Sequence, residues 1–240
     1  MSTIHIDLFD WEATQFDLDL NEVIVPIHEA AVTTLQAVHY DGERAAQEAI
    51  RQADAAGDEG QWQLQRDMAN VEKERAIERE RVIGWLALLH LGIVLELKLN
   101  NIYDFLESVS LEQGRRATAL PRNRRARGEK HWLRKLSDRY QQYGVNLDSH
   151  PKFSLIDEMV FACNAVKHSA GKPGENYRRA YYPDWRFVDG EHICFSNKDF
   201  KESVDLLRDF VEWLVRELKH RRDGQTPVGP LQRPRPTLRD

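Results

Sequence analysis

The stretch from Trp62 to Leu106 has the spacing of one very long helix, and it divides into two halves of opposite character. The first half, which ends at Arg81, is dense in Glu, Arg and Gln, whereas the second half, which begins at Val82, is apolar almost all round. A polar helix must be solvated or paired with a second helix, and a helix that is apolar on all sides is buried. We therefore expect the second half to lie in the core of a bundle and the first half to extend from it.

A second helical pattern precedes this stretch and supplies a partner for it. The pattern begins near Asn21, tolerates Pro26 in its first turn and continues to about Ala55. The next residues, Ala56 to Gly60, are typical of a turn. Two long helices joined by so short a connection pack antiparallel. We therefore predict a projecting helical hairpin over residues 25–80.

Three further segments complete the predicted fold. The stretches Glu129 to Tyr143 and Lys198 to His220 each have one apolar face, as amphipathic helices do. The stretches Trp185 to Val188 and His192 to Phe195 are joined by Asp189-Gly190, a preferred turn dipeptide of β-hairpins. The predicted fold class is all-α, a helical bundle with a long antiparallel helical hairpin and a minor β-hairpin.

The two ends of the chain differ from its middle. Residues 1–20 form an acidic N-terminal arm, in which we expect a short strand at Thr3 to Leu8 and an extended path across the bundle. The arm either covers its own core or mimics a nucleic acid on a basic surface. Residues 221–240 contain four prolines and scattered arginines, a composition typical of a disordered tail. The helical domain is therefore predicted at residues 21–220.

Composition narrows the function classes. The formal net charge of -5 and the pI near 6.0 argue against a generally basic coat protein for nucleic acid. Two cysteines are too few for a disulfide framework, and the N-terminus has no basic region of a secretory signal, so we expect a soluble protein of the reducing cytoplasm. Since the chain has no glycine-rich phosphate loop and no HExxH or EF-hand pattern, we expect no cofactor and no metal.

The run from Phe153 to Gly174 joins a helix to a polar cluster and then to a helix stop. Asn164 and His168 are four residues apart and lie on one stripe with Asp157 and Phe161, and Lys167 lies beside that stripe. The negative end of the helix dipole favours a protonated imidazole at His168, which suits a group that exchanges protons. An amide and an amine one turn away can orient a phosphate or a ribose hydroxyl. Alternatively, His168 caps the last carbonyl oxygens and Asn164 makes structural hydrogen bonds.

The segment Ala162-Cys163-Asn164-Ala165-Val166-Lys167-His168, followed by Ser-Ala-Gly, resembles the signature helix of the HEPN superfamily. The family pattern is an arginine, often followed by a polar residue, and then a histidine. Asn164 matches the polar position and His168 the histidine. The expected places of the arginine hold Phe161, Ala162 and Cys163 instead. The resemblance covers roughly residues 75–220.

The resemblance implies an all-helical bundle that forms a homodimer through the motif helix, and a metal-independent endoribonuclease of a toxin-antitoxin or antiviral defence system. His168 would then act as general acid or base on the ribose 2′-hydroxyl, while Asn164 and Lys167 position the phosphate and an arginine from elsewhere completes the cleft. An antitoxin or another defence protein would be a partner. The alternative is a non-catalytic module of the same fold that binds RNA or a partner protein.

Two arginine-rich segments are candidates for RNA binding. The charge reverses between Gln113 and Arg139, where arginine in a loop suits phosphate because its guanidinium binds in a bidentate manner. A solubilising loop, or an anchor for the acidic arm of a neighbouring copy, would have the same composition. The connector after the motif helix mixes arginine with aromatic residues, which stack on bases or close the bottom of a bundle. The predicted RNA-binding residues are Arg122, Arg124, Arg125, Arg127, Arg178 and Arg179.

Overall fold

A computed structural model of the chain describes residues 7–57, 59–112, 131–175, 186–189 and 191–222. Six α-helices lie in these ranges, together with a π-helical turn at Asp19–Ile24 and a 3₁₀ turn at Leu147–Ser149. A two-stranded antiparallel sheet precedes the last helix. The predicted all-α class with a minor β-hairpin is confirmed. The elements are α1 (Leu8–Leu18), α2 (Val25–Ala56), α3 (Glu59–Glu112), α4 (Trp132–Gln142), α5 (Phe153–Ser169), β1 (Val188–Asp189), β2 (His192–Ile193) and α6 (Asn197–Arg222).

Helices α2 and α3 form the long antiparallel hairpin that the sequence predicts. Pro26 lies in the first turn of α2, where the π-helical turn passes into the α-helix. Gly57 ends α2 in the left-handed conformation, with φ of 64°, and so lets the chain reverse direction. The charged half of α3 carries exposed ion pairs, such as that of Arg75 with Glu72. Such pairs keep this part of the hairpin solvated and contribute little to stability.

Helix α3 is the central helix of the bundle, and α1, α2, α4, α5 and α6 all contact it. One face of its apolar half is fully buried, with Leu88, Leu91, Leu95 and Leu99 at 0% exposure. The opposite face is exposed at Val82, Leu86, Ile93 and Leu97. The expectation that this half is buried all round is therefore wrong on one side. His90 and Asn101, which we expected on the buried half, are exposed as well.

The apolar half of α3 is also the one stretch among the described residues that is long and apolar enough to cross a membrane. A single helix of this kind is weak evidence, because the core helix of a soluble protein has the same composition. Lys98 lies in this half, is buried, and forms an ion pair of 2.9 Å with Glu12 of α1. A buried charge that is paired with another helix of the bundle fits a core helix.

The N-terminal arm is helical from residue 8 onward, so the expected extended path is wrong; residues 1–6 lie outside the described ranges. The carboxylate of Asp7 caps α1 by accepting the N–H of Phe9. Phe9 and Phe16 are each 1% exposed and pack in the core. Asp17 forms an ion pair with Arg208 of α6 at 2.6 Å. The expectation that the arm covers its own core is confirmed.

The last elements close the bundle. The apolar face that the sequence predicts for Lys198 to His220 is buried throughout in α6, at Phe200, Val204, Leu207, Val211, Leu214 and Leu218. In the small sheet Val188 pairs with Ile193, and Asp189 pairs with His192. Asp189, which was expected in the turn, is therefore a paired strand residue instead. The predicted tail falls almost entirely on residues 223–240, which lie outside the described ranges.

Candidate nucleic-acid site at the end of helix α5

Helix α5 ends one residue after His168. Ala170 and Gly171 take the left-handed conformation, with φ of 48° and 74°, and the N–H of Gly171 donates to the carbonyl oxygen of Ala165 at 3.1 Å. His168 and Lys167 are exposed, and Asn164 is half-buried. A separation of four residues places Asn164 and His168 on the same side of the helix, about 6 Å apart along its axis. The amide, the ammonium and the imidazole therefore form one accessible polar surface at the end of α5.

This helix end is held in place by α3 and by the small sheet. A Cβ atom at Gly171 would overlap the indole ring of Trp85, so the chain needs glycine there for packing as well as for its positive φ. The indole N–H of Trp85 donates to the carbonyl oxygen of Ile193 at 2.8 Å. The N–H of Ile193 donates in turn to the carbonyl oxygen of Gly171 at 2.7 Å. These contacts fix the position from which His168 extends.

No side chain among the described residues makes a hydrogen bond or ion pair with Asn164, Lys167 or His168. The predicted capping and structural roles of these residues therefore have no observed partner in this part of the chain. The six arginines predicted to bind RNA, in the segments 113–130 and 176–185, lie outside the described ranges. Arg186, the first described residue after the connector, is engaged by the carboxylates of Asp199 and Glu202.

A buried ionic cluster lies further toward the N-terminus of α5. The side chains of His131 and Asp157 are 3% and 4% exposed, and His131 Nε2 lies 2.9 Å from Asp157 Oδ1, although the angle is not that of a hydrogen bond. The other oxygen of Asp157 accepts a hydrogen bond of 2.6 Å from Arg134. Arg134 also donates to Asp148 at 3.2 Å. The cluster is closed to solvent at the imidazole, so it fastens α4 to α5 and offers no surface to a large substrate.

His131 lies where the described chain resumes after the arginine-rich segment. His131 is the first described residue after the segment 113–130, and its ring packs edge-on against Phe161 of α5 at 4.4 Å. Phe161 lies about 4.5 Å before Asn164 and about 10.5 Å before His168 along the helix axis. The described chain therefore resumes, at His131, beside the stripe of α5 that ends in His168. Sequence reasoning missed His131, because its contact with Asp157 spans 26 residues and no local pattern signals it.

Neither cysteine is suited to nucleophilic chemistry. Burial raises the pKa of the Cys163 thiol to about 12, and it also raises the pKa of Cys194. Both side chains are therefore thiols near neutral pH, whereas a nucleophilic cysteine needs its thiolate form. Across the described ranges, no group of three or more His, Cys, Asp and Glu side chains is placed to hold a metal ion.

No protein-family model, curated protein or solved structure matches this chain. The case for a function therefore rests on the side chains themselves. At the end of α5 the exposed imidazole can exchange a proton, the ammonium can bind an anion and the amide can both donate and accept hydrogen bonds.

Proposed function

We propose that this protein acts on RNA through the C-terminal turn of α5. The observation that carries the proposal is the accessible surface formed by Asn164, Lys167 and His168, which lies on the same face of α5 as Phe161, the residue against which His131 packs. Arginine and lysine bind the phosphate backbone of any sequence, so Lys167 at the helix end, together with the arginines that the sequence predicts for RNA binding, suits a polyanion. The overall charge of -5 requires that such binding be local.

The proposed reaction is cleavage of the RNA backbone without a metal ion. His168 accepts the proton of a ribose 2′-hydroxyl, the 2′-oxygen attacks the adjacent phosphorus, and the 5′-oxygen leaves with a proton from solvent. Lys167 and Asn164 hold the phosphate, so that the attacking oxygen and the phosphorus are close before reaction. An arginine from elsewhere in the protein takes the place of the arginine that α5 lacks, and stabilises the charge that develops on the phosphate.

The biological role that we propose follows from the resemblance of the segment Asn164 to His168 to the HEPN motif. Ribonucleases of that superfamily serve toxin-antitoxin and antiviral defence systems, and we extend that role to this chain. The protein would act in the cytoplasm as a homodimer, with an antitoxin or another defence protein as its partner.

A non-catalytic RNA-binding or protein-interaction module is the second candidate. It is favoured by the absence of arginine from residues 153–169 and by the engagement of Arg186 with Asp199 and Glu202. Without an arginine at the phosphate, the end of α5 would still bind RNA but would lack the group that stabilises the transition state.

One experiment separates the two candidates. The purified protein is incubated with a mixed RNA pool in EDTA, beside His168→Ala and the control His39→Ala, which removes an exposed histidine of α2. Cleavage that persists in EDTA, disappears in His168→Ala and remains in His39→Ala supports the ribonuclease. Binding without cleavage supports the module. If the protein neither binds nor cleaves RNA, the proposed function is wrong.

A further inference from the structure

One face of α3 carries a row of exposed apolar side chains. Val82 is 41% exposed, Leu86 50%, Ile93 43% and Leu97 61%. Exposed His90 lies in the middle of the row. The residues are three or four positions apart, so they form a single stripe along the helix. Large apolar side chains in a contiguous exposed row mark an interaction surface, whereas scattered ones do not.

The stripe is nearly symmetric about His90. Toward the N-terminus, the stripe includes the residues that lie 4, 8, 11 and 15 positions before His90. Toward the C-terminus, it includes the residues that lie 3, 7, 11 and 14 positions after His90. On both sides the first two positions are apolar and the outer two are polar. The N-terminal end carries Arg79 and Arg75, and the C-terminal end carries Asn101 and Asp104, all of them exposed.

This symmetry is what a two-fold interface requires, since the same patch must be complementary to itself. If two copies of α3 lie antiparallel about an axis at His90, Leu86 meets Ile93 of the other copy and Val82 meets Leu97. Arg75 then faces Asp104, so opposite charges meet at both ends. The stripe from Arg75 to Asp104 spans about 44 Å of helix.

A groove beside the stripe has room for Leu97 of the partner, the most exposed apolar side chain of the stripe. It has a volume of about 760 Å³ and lies between α2 and α3. Its walls include Ala30, Thr34 and Val38 of α2 and Val82 of α3, with Arg75 and Arg79 at one end. In the antiparallel arrangement, Leu97 of the other copy arrives opposite Val82. The groove of one copy and Leu97 of the other copy are therefore complementary.

We propose that this face of α3, and not the motif helix α5, is the homodimer interface of the protein, with its two-fold axis at His90. The apolar side chains of α5 offer much less for pairing, because Ile156, Met159, Val160, Ala162 and Cys163 are all buried within one copy. A membrane surface fits the stripe less well, because it would place charges of opposite sign at the two ends. The interface does not depend on RNA activity, and it holds for either candidate function.

The oligomeric state of the full chain tests the interface directly. Sedimentation over a dilution series should show a dimer, and Leu86→Asp should raise its dissociation constant about 100-fold or more, since a buried unpaired charge is costly. The matched control is Ile77→Asp, which places the same charge at an exposed apolar position of α3 off the stripe and should leave the dimer intact. Circular dichroism should show that both variants fold. A monomeric wild type, or a dimer unaffected by Leu86→Asp, overturns the proposal. A monomer that floats with lipid vesicles would assign the stripe to a membrane instead.

A charge exchange tests the antiparallel register. Arg75→Asp and Asp104→Arg should each weaken the dimer about 10-fold, because like charges then meet at both ends. The double variant restores the opposite pairing and should recover the wild-type dissociation constant. If the double variant weakens the dimer by as much as the two single changes combined, this register is excluded.

Cross-linking tests the position of the axis. In a Cys194→Ser background, His90→Cys places the new thiol of one chain beside the same thiol of the other chain, across the two-fold axis. A short bis-maleimide should therefore join the two chains. Leu97→Cys is the control, because its two thiols would lie about 21 Å apart along the helices. Cross-linking of Leu97→Cys but not of His90→Cys would refute the axis at His90.

Discussion

The Sγ atom of Cys163 on α5 lies against Gly92 of α3, and its thiol donates a hydrogen bond of 3.1 Å to the carbonyl oxygen of Leu88. A Cβ atom at Gly92 would come within 2.7 Å of that sulfur. The close approach of the two helices therefore depends on the missing side chain at Gly92. It also sets the position of α5, and with it the position of Asn164 and His168.

Substitution of Gly92 should loosen this contact. Gly92→Ala gains helix propensity but forces Cys163 or α5 to move, so we expect the free energy of unfolding to fall by about 1–3 kcal/mol. The control is Gly42→Ala in α2, where a Cβ atom would meet no other atom within 4 Å. That change should stabilise the protein by about 0.5–1 kcal/mol. Urea denaturation measures both, and equal effects of the two substitutions would contradict the packing argument.

Glu158 should be essential to the attachment of the small sheet. This carboxylate is 3% exposed and accepts the backbone N–H groups of Arg186 at 2.6 Å and Phe187 at 3.4 Å. Glu158→Ala leaves both donors without that acceptor, so the free energy of unfolding should fall by about 2 kcal/mol or more. The exposed control Glu80→Ala should change it by less than about 0.5 kcal/mol. A small effect of Glu158→Ala in thermal or urea unfolding would show that other groups anchor this segment.

Acidification should destabilise the protein through His150. Its Nδ1 accepts the N–H of Lys152 at 3.3 Å, and its ring packs against Phe210 and Trp213. Burial, the largest cause, lowers the pKa of His150 from its usual value of 6.5; Lys152 and Arg216 lower it further, and Asp209 opposes them. The unfolded chain therefore takes up the proton first as the pH falls. Stability from this residue is present above about pH 6.5 and is lost below it.

The variant His150→Phe isolates that contribution. It keeps an aromatic ring beside Phe210 and removes the titrating group, so the decrease in unfolding free energy between pH 7.5 and pH 5.5 should be smaller than in the wild type. Part of the decrease should remain, because burial also lowers the pKa of His28. An unchanged pH dependence in urea unfolding would show that His150 does not titrate in this range.

Lys167 should contribute to RNA affinity mainly through charge. Lys167→Glu should weaken binding of single-stranded RNA regardless of sequence, and should reduce the slope of log affinity against log salt concentration by about one ion. Lys198→Glu makes the same change at an exposed lysine of α6, whose side chain is 82% exposed. It should leave affinity and slope nearly unchanged. Equal effects of the two variants in fluorescence anisotropy would show that the end of α5 is not the RNA site.

Local patterns predicted the elements of the fold well. Helix α6 has its apolar residues at helical spacing and was predicted with its inward face, and the turn at Gly57 follows from a short polar segment between two long helices. The N-terminal arm beyond Leu8 was wrongly predicted as extended, because its helix depends on tertiary packing of Phe9 and Phe16 against the core. The strand expected at Thr3 to Leu8 lies almost entirely outside the described ranges.

The candidate site was predictable only in part. Asn164, Lys167 and His168 were found from their spacing and from the glycine stop that follows them. The cluster of His131, Arg134 and Asp157 was not, since it joins residues of two helices and of a loop end that are distant in the chain. The apolar half of α3 shows the same limit. Its composition predicted burial, but composition does not reveal that its neighbours cover only one face.

The sequence by itself determined the helices, because helix formation depends on residue spacing, on proline and glycine, and on caps within a few residues. Only the tertiary structure decided which faces are covered. Coverage depends on distant elements, as at Gly92, where one absent side chain lets α5 approach α3, and at Leu86 and Ile93, where no element of the described chain covers the helix. The exposed end of α5 and the exposed stripe of α3, on which the two proposals rest, are both results of that packing.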